Sequence, residues 1–327
     1  MRQGLHLYID VVGTCNLRCP SCPVGNSPGV KNARGAMSLE MLTEILDKAA
    51  GESELKSVAL FNWTEPFVHP RLHELVALVK ARGLPCNLST NLNIDKPERY
   101  RAVLAAGPRM LRVSVSGFTQ GVYGLTHAGG DVERVKQSLS GLAEMRRSLR
   151  SPTRLAVAYH RYRSSLAEEQ EFSVFCANLG IAFQPHHAFM LPLEKVLTTC
   201  GEVGYSPLTD EDRAVLANLS LPLDAALREA ATQPGWPCAL LEEQVVLNCR
   251  GEVLQCCATF DESRFTLGRF LDRPLVDIQA ARRQADVCQA CVRHGVSNYY
   301  QYRIPSLDNL TWSLAGPPGS ASPGGRV

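Results

Sequence analysis

Cys15, Cys19 and Cys22 follow directly on the apolar run Leu5-His6-Leu7-Tyr8-Ile9-Asp10-Val11-Val12, in the segment T-C-N-L-R-C-P-S-C, a C-x3-C-x2-C array. Three clustered thiolates suit a four-iron, four-sulfur cluster, [4Fe-4S], and leave one iron without a protein ligand. An open iron chelates small molecules, so the array points to chemistry rather than structural support. Zinc is the competing metal, but its closed tetrahedron needs a fourth ligand, and no histidine lies beside the triad in sequence.

Nine cysteines remain of twelve. Cys238, Gly251 and Cys256 are spaced C-x12-G-x4-C, and Cys288-Gln289-Ala290-Cys291 supplies a C-x2-C. Between them, Leu247-Asn248-Cys249-Arg250-Gly251-Glu252-Val253 reads as a β-hairpin with Gly251 in the turn. Cys86 opens an apolar strand and Cys176 lies in an apolar helical stretch, so both read as small core residues. Cys200 and Cys257 give no signal. Cys249 stands just before the hairpin turn, on an element expected to pack over the mouth of the fold, where a free thiol would reach a substrate.

The chain has 327 residues, 45% of them hydrophobic, with formal net charge +2. Its length allows one large domain, or a medium one with a small companion. The near-zero charge argues against a nucleic-acid grip on a broad basic surface. No apolar run approaches the ~20 residues of a membrane span, and no export signal opens the chain. The expectation is a cytoplasmic protein, where many cysteines mean metal or catalysis more often than disulfides.

The elements that must position these residues alternate. Strand-like runs at 5–12, 57–62, 85–90, 110–116, 154–160 and 181–184 are separated by helix-like stretches near 38–50, 70–82, 95–106, 131–149 and 167–179. Ser38 reads as a helix N-cap, and Gly83 and Gly180 as C-terminal stops. Such repeats imply a parallel sheet with right-handed crossovers, either an open barrel or a doubly wound sheet. The triad falls in the first strand-to-helix loop, and loops at the strands' C-terminal ends form the active face of such folds. From 185 to 235 the pattern loosens into a Pro-rich connector with helices near 209–217 and 223–231. A cysteine-rich unit spans 236–298. An extension over 299–327 begins with Tyr299-Tyr300-Gln301-Tyr302 and ends in a Gly/Pro/Ser tail, Ala315 to Val327, too apolar-poor to order itself.

C-N-L-R-C-P-S-C resembles the signature of radical S-adenosylmethionine (SAM) enzymes, and the likeness covers residues 5–184. It implies a partial (β/α)6 barrel over 1–184, a [4Fe-4S] cluster on Cys15, Cys19 and Cys22, and SAM as co-substrate, cleaved by one electron to a 5′-deoxyadenosyl radical. Trp63-Thr64-Glu65-Pro66 stands where that family has Gly-Gly-Glu-Pro, so Glu65 is expected at the SAM amino group. Ser89-Thr90-Asn91 and Ser114-Val115-Ser116-Gly117 end strands three and four, which implies Asn91, Ser114 and Ser116 at the SAM carboxylate or ribose. The departure at Trp63-Thr64 leaves the Glu65 contact open, since Glu65 also reads as an ordinary loop carboxylate.

The second array resembles the single-cluster form of the C-terminal auxiliary domain found in many radical SAM enzymes. The likeness implies a small iron–sulfur domain in which Cys238, Cys256, Cys288 and Cys291 fully ligate a second [4Fe-4S] cluster. Cys257 competes with Cys256, and a tetrathiolate zinc suits the same donors. With Cys249 included, the pattern resembles radical SAM epimerases of aminoglycoside biosynthesis. That implies inversion of a sugar carbon, with Cys249 returning hydrogen to the substrate radical. The alternative is a dehydrogenase of an aminocyclitol or sugar alcohol. Implied partners are a cationic aminoglycoside, recognised by carboxylates such as Glu242, Glu243, Asp261 or Glu262, and an external one-electron reductant of flavodoxin or ferredoxin type. No nucleic acid and no membrane are expected. The chain starts at a barrel strand, which weighs against a peptide substrate.

Overall fold

The computed structural model describes residues 4–232 and 237–304. The expected Gly/Pro/Ser tail lies outside the described residues. Six strands, β1 (Gly4–Ile9), β2 (Glu54–Ala59), β3 (Cys86–Thr90), β4 (Met110–Val115), β5 (Arg154–Arg161) and β6 (Ala182–His187), pair parallel in sequence order. The crossover helices are Leu39–Glu52, Leu72–Ala81, Pro97–Ala106, Val132–Ser148 and Glu169–Leu179.

Alternation along each strand decides which side chain meets helices and which meets the concave side. Leu5, Leu7 and Ile9 of β1, and Leu111, Val113 and Val115 of β4, are buried against Leu42, Ile45, Val76 and Leu139 of the helices. Each such burial contributes about 1.5–3 kcal/mol. The alternate positions, among them Tyr8, Ser89, Arg112, Ser114 and His160, carry the polar and aromatic groups of the other face. Helix ends follow local chemistry. Ser38 Oγ accepts from Met41 N at 3.1 Å, Asp131 caps Val132–Ser148, and Gly83 and Gly180 take φ of 71° and 66°, a left-handed region that suits glycine.

β6 runs to His187, three residues past the expected end, through Pro185. It is an edge strand, where a missing N–H costs no ladder bond. A larger difference concerns the hairpin. β7 (Gln244–Leu247) pairs parallel with β1, and β8 (Glu252–Leu254) and β9 (Thr266–Arg269) follow antiparallel, giving one nine-stranded sheet in the order β6-β5-β4-β3-β2-β1-β7-β8-β9. The hairpin extends the sheet instead of packing over its mouth. The reason is in its residues: all four of Gln244-Val245-Val246-Leu247 are buried, so β7 needs neighbours on both edges and both faces. Gly251, at φ 72°, makes the turn.

A second core joins the connector to the C-terminal unit. Met190, Leu193, Val196 and Leu197 pack with Ala226, Val287, Ala290, Val296 and Tyr299. Among the described residues no helix is long and apolar enough to cross a membrane.

Candidate active site

The triad loop leaves β1 at the sheet's C-terminal edge and is pinned to several other strand ends. Arg18 N donates to Ala128 O (3.0 Å) beyond β4, Tyr162 Oη to Ser21 Oγ (2.7 Å) beyond β5, and Asn91 Nδ2 to Cys15 Sγ (3.7 Å) at the end of β3. The helical turn Pro23–Asn26 presses against the loop so closely that a Cβ on Gly25 would stand 2.2 Å from Cys19 O. Burial pushes the Cys15 thiol up to about 11 and Cys22 up to about 12; Cys19 is also raised, by burial and then by the other two thiols. The three sulfurs therefore feel one another in a desolvated pocket, and a bound cation is what turns such thiols into thiolates.

Asp10, at the end of β1, organises the neighbouring loop and was not flagged by sequence reasoning. Its Oδ1 accepts from Asn62 N (3.0 Å), Trp63 N (3.0 Å), Thr64 N (2.9 Å) and Thr64 Oγ1 (2.6 Å). Burial raises its pKa and these bonds hold it down. The arrangement explains the departure from glycine at 63 and 64: the Thr64 hydroxyl adds a bond to Asp10, and the Trp63 indole donates through Nε1 to Thr259 O (3.0 Å) with its ring edge-on to Phe260.

Glu65 is 3% exposed, and its carboxylate is engaged inside the protein. Oε1 accepts from Thr90 Oγ1 (2.8 Å) and Phe67 N (3.1 Å), and Oε2 from Asn91 N (2.7 Å). Burial lifts its pKa to about 7. It joins the loop after β2 to the end of β3, where Leu92 is held at φ 55°, a left-handed backbone uncommon outside glycine.

Asn91 and Ser114 reach the concave side at the mouth, with Ser89 Oγ 3.4 Å from Ser114 Oγ and Asn91 Nδ2 also donating to Asn16 Oδ1 (2.8 Å). Ser116 is fully buried; its hydroxyl bonds Thr126 Oγ1 and His127 Nδ1 (3.0 Å). It supports the wall rather than facing the mouth. Deeper on the same face, Arg112 lies with its guanidinium 5.3 Å from the Phe61 ring and its Nε 3.4 Å from Ser89 Oγ. His160 Nδ1 meets His186 Nε2 at 3.1 Å. Burial pushes His127 down to about 4 and His186 to about 3, so both are neutral near pH 7. Sequence reasoning passed over these histidines because His127, His160 and the His186-His187 pair lie far apart in the chain and only the fold brings them together.

The four cysteines of the second array line one cavity. Cys238, Cys256, Cys288 and Cys291 border it together with Gln255 and Arg282, whereas Cys257 does not. Cys257 stays close to Cys256, and it also lies near Tyr8, whose phenol is raised chiefly by burial and secondarily by that thiol. Cys288 and Cys291 project from one face of helix Asp286–Arg293. Among the described residues, no three His, Cys, Asp or Glu side chains close on a single ion. Cys86 and Cys176 are buried in the main core.

Cys249 is 4% exposed and stands two residues past Leu247, which pairs with Ile9. Asp10 N donates to Leu247 O (2.9 Å), so the thiol emerges at the strand ends that carry the triad loop and Asp10. Burial pushes it up to about 11, with the Glu262 and Asp10 carboxylates adding to the effect. Of the four acidic residues expected near a cationic substrate, Glu262 lies beside Cys249 and accepts from Ala33 N (2.6 Å). Asp261 caps the turn Glu262–Phe265. Glu242 pairs with Arg283, and Glu243 O accepts from His6 N (2.7 Å) at the far end of β7. Those two precede β7, so chain direction puts them opposite the mouth.

Residues 9–150 match the Radical SAM superfamily. The chain is 25% identical over 301 residues to the tungsten-containing aldehyde ferredoxin oxidoreductase cofactor-modifying protein of Pyrococcus furiosus, covering 85% of this chain and 81% of that one. It is 26% identical over 319 residues to the PqqA peptide cyclase of Xanthomonas euvesicatoria, covering 89% and 81%. Streptococcus suis SuiB bound to precursor peptide SuiA superposes with a TM-score of 0.61 at 14% identity, over 90% of this chain and 67% of that one. The fold is the mixed α/β radical SAM fold, and a domain of this superfamily implies SAM and a [4Fe-4S] cluster.

Proposed function

We propose that this radical SAM enzyme is an epimerase that inverts a sugar carbon of a cationic aminoglycoside, C5‴ of neomycin C to give neomycin B, with Cys249 as the hydrogen donor. The observation that carries the reading is the place of Cys249: a buried thiol at the C-terminal end of β7, one strand from the triad loop and beside Asp10. A dehydrogenase has no need of a hydrogen donor there.

Cys15, Cys19 and Cys22 would hold the [4Fe-4S] cluster, which when bound supplies the electron that cleaves SAM to a hydrogen-abstracting radical. Asp10 fixes the 62–64 loop and Glu65 ties it to β3, so that backbone carbonyls of this loop, Asn91 and Ser114 line the place for SAM. Once the substrate carbon has lost its hydrogen atom, the S–H bond of Cys249 breaks and a C–H bond forms on the opposite face. The sulfur returns to thiol by taking one electron, ultimately from a flavodoxin- or ferredoxin-type reductant, and one proton. A thiol raised to about 11 is protonated near pH 7 and so carries the hydrogen atom it must give. Glu262, with its burial-raised carboxyl beside Cys249, is placed to meet a substrate amine or to return the proton. Cys238, Cys256, Cys288 and Cys291 would hold a second cluster, whose chemistry is one-electron transfer.

The test is turnover of neomycin C in deuterated water. An epimerase places one deuterium at the inverted carbon, and Cys249→Ala cleaves SAM without inversion. Normal inversion by Cys249→Ala would sink the thiol's role. An oxidised product without solvent hydrogen identifies the dehydrogenase of an aminocyclitol or sugar alcohol instead. Peptides, which the names of the Xanthomonas and Streptococcus proteins point to, are the competing substrate class and belong in the same assay.

A further inference from the structure

We infer that Gln255 and Arg282 form a reciprocal pair that assembles the four-cysteine cavity and sets the reduction potential of the cluster held there. The inference rests on the reading that Cys238, Cys256, Cys288 and Cys291 hold a [4Fe-4S] cluster.

The geometry is unusually closed for an arginine. Arg282 is 0% exposed, and no carboxylate accepts from it among the bonds the structure shows. Its guanidinium donates to four backbone carbonyls: Gln255 O (2.9 Å), Leu240 O (2.9 Å), Leu241 O (3.1 Å) and Gln244 O. In return the Gln255 amide Nε2 donates to Arg282 O (2.9 Å) and to Cys288 Sγ (3.0 Å). Gln255 is 2% exposed.

These bonds connect every segment that carries a cysteine of the cavity. Leu240, Leu241 and Gln244 belong to the stretch that starts at Cys238, Gln255 immediately precedes Cys256, and Arg282 sits on helix Leu275–Gln284 just ahead of Cys288 and Cys291. The ligands come from positions more than fifty residues apart in sequence, so something must hold the three segments in register. Backbone carbonyls take four N–H bonds from Arg282, and the nearest carboxylate, Glu242, is hydrogen-bonded to Arg283 instead. Burying such a cation is costly unless a negative group shares the site. Four thiolates around a [4Fe-4S] core carry net negative charge, which becomes more negative on reduction. A fixed cation and an N–H···S bond both favour the reduced, more negative state, and both are established determinants of cluster potential.

The experiment uses the reconstituted full chain in a Cys15→Ala, Cys19→Ala, Cys22→Ala background, so that iron, sulfide and electron paramagnetic resonance report only the second site. Gln255→Leu keeps the volume and removes the N–H···S donor; Arg282→Lys keeps the charge and cannot reach four carbonyls. The expected result is retained iron with a more negative midpoint potential in Gln255→Leu, and at least a twofold loss of bound iron in Arg282→Lys. Loss of iron from Gln255→Leu also supports the assembling role. An unchanged midpoint in Gln255→Leu together with full iron in Arg282→Lys overturns the inference while leaving the second-cluster reading intact. Zinc, or no metal, in the parent background overturns that reading itself and the inference with it.

Discussion

Trp63 Nε1 donates to Thr259 O at 3.0 Å, and Thr259 Oγ1 is in turn 3.0 Å from Cys256 O. On its other side the carbonyl of Trp63 lies 4.0 Å from Cys22 Sγ. One residue thus connects the triad loop with the second cysteine cavity through close contacts. Trp63→Phe removes the N–H and keeps an aromatic edge for Phe260. A lost buried hydrogen bond costs about 1 kcal/mol, so the melting temperature should fall by roughly 2 °C, read by calorimetry. Trp63→Gly should cost several times more because the indole's packing goes with it.

Asp10 holds three backbone amides and a hydroxyl with one carboxylate. Asp10→Asn preserves shape but turns one oxygen into a donor and removes the charge. With charge-assisted bonds contributing about 1.5–3 kcal/mol each, SAM affinity measured by calorimetry should drop roughly tenfold or more, with iron content of the triad retained. Wild-type affinity in Asp10→Asn would show that the 62–64 loop needs no such anchor.

Gly25 and Gly29 make a matched pair. A Cβ at Gly25 would meet Cys19 O at 2.2 Å, whereas at Gly29 nothing lies within 4 Å. Gly25→Ala must therefore shift the backbone that carries Cys19. The expected outcome is loss of more than half of the triad iron and sulfide after reconstitution, with Gly29→Ala indistinguishable from wild type.

His127 titrates near 4 in the folded chain against 6.5 for an ordinary histidine, because burial disfavours its charged form. The unfolded chain therefore binds the extra proton first as pH falls. The neutral, folded form is fully favoured above pH 6.5, and stability is lost between 6.5 and about 4. A shift of this size is worth at most about 3 kcal/mol. Urea unfolding of metal-free protein should show this acid slope, and His127→Asn should reduce it by about one proton. His186, pushed down to about 3 by the same cause, supplies a further part of the slope that His127→Asn leaves in place.

Much of the fold was legible because its determinants are local. Strand and helix positions from 4 to 187 follow from apolar periodicity, and the stops at Gly83 and Gly180 follow from one backbone conformation each. The hairpin turn at Gly251 was read for the same reason. Its destination was not: whether β7 covers the mouth or joins the sheet depends on the free edge of β1, a partner more than 200 residues away. Likewise, Asp10 and Arg282 are unremarkable in sequence and acquire their roles only from the amides and carbonyls that the fold brings around them.

The spacing of Cys15, Cys19 and Cys22 by itself determined the class of chemistry, since three thiolates within eight residues meet in one loop whatever surrounds them. The cysteines after residue 237 were told apart in the chain by spacing and resemblance, with Cys257 still competing for the place of Cys256. The tertiary structure sets Cys238, Cys256, Cys288 and Cys291 around one cavity whose lining leaves out Cys257, and brings Cys249 beside Asp10. The physical reason is the sheet register. Ile9 opposite Leu247 aligns the end of β7 with the end of β1, and adjacent strand ends are where a thiol and the loop bearing the triad share a mouth.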